Sequence, residues 1–217
     1  MPKIVPIIEG PGEVESVPIL INKMLFDISR PAHIEPRISV ANCKNAHGIG
    51  NLTAEGYLER FLQYAFNEPE VGGIIVVRDA DKGCPITMAK DLADRARKIN
   101  PPVSVSIVVA KCEFEAWFLA SLKTIAGKVI DGRPGILEGT VCDEPEDISD
   151  VKGWIGRNMP GSRSYKPAFD QAPMTKMIDT AVAYHNSRSF RRFSKAICEL
   201  VSAIDNSEVI VTPSIAE

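Results

Sequence analysis

Apolar positions fall into two alternating rhythms along this chain. Short continuous runs come at residues 3–8 (KIVPII), 74–77 (IIVV) and 103–109 (VSVSIVV). Runs this short and this apolar predict strands buried on both faces. A weaker strand is expected over residues 34–41, followed by a basic loop from Lys44 to Gly50. Between the runs the spacing lengthens to that of a helix face. Leu20, Ile21, Met24 and Leu25 predict a helix that starts near Ser16 as N-cap, with Pro18 in its first turn. Ala54, Tyr57, Leu58, Phe61, Leu62, Ala65 and Phe66 predict a second, from about Thr53. Pro85 opens a third, with Ala89, Leu92, Ala93, Ala96 and Ile99 on one side, and Pro101-Pro102 closes it. Lys111 to Leu122 predict a fourth.

Alternation of strand and helix predicts an α/β fold with a mainly parallel sheet and helices on both faces. The pattern changes after about residue 125. A Gly- and Pro-containing stretch and an acidic loop, Asp143 to Asp150, lead to helices expected near 148–158, 173–184 and 188–204. The expected division is a core over residues 1–124 and a helical C-terminal extension over residues 125–217 packed on it.

Composition narrows the function classes. The net charge of −3 gives no general support for nucleic-acid binding, so any such partner must meet a local basic patch or a metal. The five cysteines include no CxxC pair, and the three histidines are far apart, so reduced thiols are expected and a zinc site is not. No run approaches a membrane span, and the first residues read as a strand and not as a signal peptide. A cytoplasmic location without membrane attachment is the expectation.

In an open parallel sheet, ligands bind beyond the carboxyl ends of the strands. Acidic residues gather there: Glu9 after the first strand, Asp79 and Asp81 after the third, and Glu113 and Glu115 after the fourth. In extended chain the Asp-x-Asp spacing turns both carboxylates to one side. Carboxylate-only ligation suits a hard cation, Mg²⁺ or Mn²⁺. The structural alternative is that Asp and Gly merely favour turns, and that Glu13, Glu15, Glu113 and Glu115 favour helix N-termini. Arg188, Arg191, Arg192 and Lys195 are interleaved with Phe190 and Phe193. They read either as a grip on a nucleic-acid backbone or as the outer face of a helix whose phenylalanines enter the core. Lys82, Lys111 and Lys166 are candidates to neutralise a phosphate, or simply solvated lysines.

Glu9-Gly10, with Glu13 four positions after Glu9, resembles the glutamate motif of Toprim domains, and Val77-Arg78-Asp79-Ala80-Asp81-Lys82-Gly83 resembles their DxD motif. Toprim domains occur in type IA and type II topoisomerases, bacterial primases and the overcoming-lysogenization-defect nucleases. Glu113-Phe114-Glu115-Ala116-Trp117 and Ser189-Phe190-Arg191-Arg192-Phe193 make the longer pattern similar to an uncharacterised Toprim-like family, domain of unknown function 4276. The Toprim resemblance covers about residues 3–122, and the other nearly the whole chain.

The resemblance implies a Rossmann-like Toprim sheet and metal-dependent hydrolysis of nucleic-acid phosphodiester bonds. It implies Glu9 as general acid/base that also touches metal, and Asp79 and Asp81 as holders of Mg²⁺ or Mn²⁺. Glu13 matches the second acidic position of the nuclease branch, and Glu113 and Glu115 become second-metal ligands; beside them Lys82, read from its place after the DxD, is the expected catalytic cation. The chain's length and its lack of a topoisomerase-like tyrosine favour the small nuclease branch. DNA or RNA is the expected partner, held by Lys166, Arg188, Arg191 and Arg192. Small Toprim-like proteins resemble phage-defence components that pair with an ATPase, and this sequence has no GxxxxGK[ST] loop of its own. A separate ATPase subunit and a homo-oligomer are therefore further expectations. The rival expectation is a non-catalytic metal-binding regulatory subunit of an ATPase-containing complex.

Other uses of a DxD fit less well. A haloacid-dehalogenase-type phosphatase places its aspartate after the first strand. A glycosyltransferase leaves Glu9-Gly10 unexplained. An EF-hand needs further ligands and a terminal Glu.

Overall fold

The computed structural model of the protein describes residues 1–29, 37–46 and 52–214. Parts of the weak strand expected over 34–41 and of the loop from Lys44 to Gly50 lie outside these residues. The elements in chain order are β1 (Lys3–Ile8), α1 (Glu13–Ser29), β2 (Ser39–Val40), β3 (Lys44–Asn45), α2 (Tyr57–Phe66), β4 (Val71–Asp79), α3 (Pro85–Lys98) and β5 (Ser104–Ala110). There follow α4 (Ala116–Ala120), α5 (Leu122–Ile125), the hairpin strands β6 (Val129–Ile130) and β7 (Arg133–Pro134), then α6 (Val151–Arg157), α7 (Pro167–Met177), α8 (Thr180–Asn186), α9 (Arg188–Asp205) and β8 (Val211–Thr212).

The main sheet runs β2-β1-β4-β5-β8, with β3 also on β1, and every described pairing in it is parallel. This is a Rossmann-like α/β arrangement. The three long strands are apolar at successive positions because both faces are covered. Ile4, Ile8, Ile75, Val77, Val108 and Ala110 enter one core, with α1 and α9 packed over it. Val5, Ile7, Ile74, Val76, Val105, Ile107 and Val109 enter the other, under α2 and α3. The segment after residue 125 thus supplies a covering helix, α9, and an edge strand, β8.

Differences from the sequence expectations have local causes. The helix α1 starts at Glu13, not Ser16. The Gly10 N–H donates to Glu13 Oε2 at 2.5 Å, and Ser16 Oγ donates back to the Gly12 carbonyl at 2.9 Å. Ser16 therefore bonds one turn back inside the helix instead of capping it. Gly56 sits left-handed at φ 76°, so α2 begins after it. The single helix expected over 173–184 is two: Asp179 Oδ1 accepts from the N–H groups of Ala181 and Val182, both at 3.0 Å, and starts α8 afresh. The strand β8 was not expected. Its Val211 and Thr212 pair with Val105 and Ser106, and the Ser106 and Thr212 hydroxyls meet at 2.8 Å.

The aromatic pattern resolves toward packing. Phe190 and Phe193 are fully buried, and their rings lie 5.5 and 5.2 Å from the Trp117 ring. The Trp117 indole donates to Ser189 Oγ at 2.8 Å. No helix among the described residues is long and apolar enough to cross a membrane.

Candidate active site

Register brings the acidic residues to one rim. Ile8 pairs with Val77, and Asp79 pairs with Ala110, so the carboxyl ends of β1, β4 and β5 finish almost level. The chain crosses after β5 through Cys112, whose carbonyl accepts the Asp81 N–H at 2.8 Å. That bond ties the turn after β4 to the turn after β5. The Phe114 N–H donates to Asp79 Oδ1 at 2.7 Å, which fixes the start of the Glu113–Trp117 segment against Asp79.

Three of the carboxylates share one cation that the sequence reading did not single out. Lys152, in the first turn of α6, places its ammonium 2.8 Å from Glu113 Oε1, 3.1 Å from Glu115 Oε2 and 4.0 Å from Asp79 Oδ2. Its own N–H donates to Glu113 Oε2 at 3.1 Å. Glu115 is fully buried, and the Tyr165 hydroxyl donates to its Oε1 at 3.0 Å. Burial pushes the Glu115 carboxyl up, and the Lys152 charge pulls it back. Burial also raises Asp79 well above its ordinary range, and the charges of Glu115 and Glu13 push it further. Burial opposes the Lys152 charge, yet Glu115, Glu113 and Asp79 outweigh it and hold the ammonium protonated.

A second group forms around Glu9. The Glu9 carboxylate is 3.4 Å from the buried Arg78 guanidinium, and its Oε1 accepts the Leu52 N–H at 3.2 Å. Arg78 Nε also donates to the Asp79 carbonyl at 3.1 Å. Burial pushes Glu9 up, Arg78 and the Leu52 N–H lower it, and the charges of Asp81 and Glu13 raise it again. Glu13 thus acts electrostatically on both groups. Its carboxylate is held by the Gly10 N–H, so it also fixes the turn after Glu9. Asp81 and Lys82 are exposed on the turn after β4.

The donor chemistry fits a hard divalent cation: every candidate ligand is a carboxylate. Glu115 Oε2 is buried without a hydrogen-bond partner, met only by the charge of Lys152. The spacing, however, is closed on that ammonium. Among the described residues no three acidic, histidine or cysteine side chains stand close enough together to hold an ion. Glu9, Asp79 and Asp81 share the rim without converging on one point.

The basic candidates do not form one group. Lys166 precedes α7 in a hollow of about 280 Å³ with Arg133 and Arg163. Arg188 is exposed at the start of α9. Arg191 is turned to the end of α8, where it donates to the Tyr184 and His185 carbonyls, both at 3.0 Å. Arg192 donates to Glu199 at 2.9 Å and to Thr212 at 2.7 Å, joining α9 to β8.

Lys152, Arg78 and Tyr165 are the residues that sequence reasoning missed. Arg78 stood within the DxD pattern and carried a visible signal, a charge at the end of an apolar strand. Lys152 and Tyr165 carried none, because they reach the rim from segments that the fold alone brings there.

A family model described as Domain of unknown function (DUF4276) matches residues 8–197. No curated protein and no solved structure matches the chain.

Proposed function

The chain belongs to the DUF4276 family, and from that premise we propose a Toprim-like, metal-dependent nuclease that hydrolyses phosphodiester bonds of DNA or RNA, with a separate ATPase subunit, in defence against phage. The observation that carries this reading is the gathering of Asp79, Glu113 and Glu115 around a single positive charge at the carboxyl rim of a parallel sheet. Asp79 and Asp81 with Glu9 would hold Mg²⁺ or Mn²⁺ once drawn together from their separate places on the rim, to polarise a phosphoryl oxygen and steady the leaving oxygen. Glu113 and Glu115, freed from Lys152, would hold a second ion to activate water.

The chain's own groups supply the rest. Glu9 holds a proton more readily than an ordinary carboxylate, because it is buried and feels Asp81 and Glu13. That suits a general acid/base. Glu13 orients the turn that carries Glu9. Lys82, exposed beside Asp81, would meet a substrate phosphate. Lys152 is the cation that an entering metal would displace.

The same lysine favours a second reading, a regulatory subunit whose acidic centre is closed by an internal ion pair. One experiment separates the two. Plasmid DNA and single-stranded RNA are incubated with the protein in Mg²⁺, Mn²⁺ or EDTA, alone and with ATPase candidates, beside an Asp79→Asn control. Metal-dependent cleavage that the variant loses supports the nuclease. Cleavage that survives in EDTA or in the variant, or none under any condition, overturns it.

A further inference from the structure

A cleft of about 530 Å³ opens beside the acidic centre, between the start of α3, the end of β5 and the start of α9. Its walls carry Lys90, Lys111, Arg188, Arg192 and Lys195, five cations in a chain whose net charge is −3. Two acids, Glu146 and Asp147, also line it. Glu146 is already committed. Its carboxylate accepts from the Ser187 hydroxyl at 2.6 Å, the Ser189 hydroxyl at 2.6 Å and the Ser189 N–H at 2.8 Å. Lys90, Lys111 and Arg188 enter no ion pair among the described residues. Glu146 and Asp147 keep their negative charges, and Glu199 pairs with Arg192 and Lys195, so the cleft retains a modest excess of positive charge that rests on Lys90, Lys111 and Arg188.

One wall is apolar. Ile86 is 57% exposed, and Pro213 and the nearly buried Val109 also line the cleft. Apolar lining beside cations suits a nucleotide, whose base offers apolar faces and whose phosphate is anionic. The volume lies within the range of about 300–1,000 Å³ usual for small-ligand clefts. The position fits as well. Lys111 lines the cleft and is two residues from Glu113, so the cleft adjoins the acidic centre.

We propose that this cleft is a nucleotide-binding subsite, which holds a phosphate on Lys90, Lys111 and Arg188 and a base against Ile86 and Pro213. The ligand is either a free nucleotide or one unit of a single strand. The inference deepens the nuclease reading by naming where the substrate rests. It is tested without metal, so it stands or falls apart from catalysis.

Full-length protein in EDTA is titrated against a fluorescein-labelled hexathymidine strand, with AMP as competitor, over a range of salt. Arg188→Glu with Lys90→Glu should weaken strand binding about tenfold or more and flatten its salt dependence by one to two phosphates, at ~0.7 in slope per phosphate for a single strand. Lys128→Glu, an exposed charge reversal elsewhere, should change affinity less than about twofold. Competition by AMP assigns the site to free nucleotides; its absence assigns the site to a strand. A second readout uses the wild-type protein. Cys84 lines the cleft with an exposed thiol, which the N–H groups of Thr87 and Ile86 keep below its ordinary pKa. Bound ligand should slow its alkylation and leave exposed Cys198, outside the cleft, unchanged. No binding of either probe, equal loss in the Lys128 variant, or unprotected Cys84 at saturating strand overturns the proposal.

Discussion

The Lys152 ammonium lies 3.1 Å from Glu115 Oε2, a carboxylate with no exposed surface. Removing the cation leaves that buried charge uncompensated, which is far more costly than losing a surface pair. Lys152 is itself partly exposed, so water recovers some of the loss. Lys152→Met should lower stability by about 2–3 kcal/mol in urea melts without metal. The double variant Lys152→Met, Glu115→Gln should recover most of it. A single variant as stable as wild type would show that Glu115 is protonated in the fold.

Asp79 has two opposing parts in stability. Its charge is disfavoured by burial and by Glu115 and Glu13, while its Oδ1 accepts the Phe114 N–H. Asp79→Asn keeps an acceptor and removes the charge, so stability should hold or rise. Asp79→Ala leaves the Phe114 N–H without its partner and should cost about 1–2 kcal/mol relative to Asn. Both variants should lose metal-dependent cleavage. Thermal melts beside a cleavage assay separate the two roles, and full activity in the Asn variant removes Asp79 from the mechanism.

Glu146 should make stability sensitive to acid. Burial opposes its charge, but the Ser187 and Ser189 hydroxyls and the N–H groups of Ser189 and Arg188 outweigh it and hold the carboxyl below its ordinary pKa. A depressed folded pKa means that the unfolded chain binds the proton first. The contribution is then present above the ordinary Glu pKa and lost as pH falls through the folded value. Glu146→Gln should melt lower than wild type at pH 7 by about 1–2 kcal/mol, and the gap should narrow below about pH 4. A gap independent of pH would assign the effect to packing.

Arg192 should behave as a structural residue. It bonds Glu199 and Thr212 and so joins α9 to the edge strand β8. Arg192→Ala should cost about 1–2 kcal/mol in urea melts, because its partners lie inside the fold and are partly buried. Arg188→Ala, whose side chain is exposed, should leave stability within about 0.5 kcal/mol and carry the larger loss in strand affinity. The reverse ordering would move the binding surface along α9.

What the sequence determined by itself was the local physics. The runs KIVPII, IIVV and VSVSIVV are too apolar for any place but strands covered on both faces, and the alternating helices leave a parallel sheet as the arrangement that covers them. Glu9, Asp79, Asp81, Glu113 and Glu115 could be placed at one rim because side chains that follow parallel strands must emerge at the same end. Tertiary structure alone decided which of them meet. Lys152 comes from a helix 37 positions beyond Glu115 and closes on it only because α6 packs at that rim, and no periodicity encodes such a contact. Arg191 and Arg192 read the same as Arg188 in sequence. Their partners, the last carbonyls of α8 and the hydroxyl of Thr212, exist only once the chain has returned to the sheet edge. Spacing along the chain fixes which face a residue takes, whereas ion pairs depend on distances between elements, which packing sets.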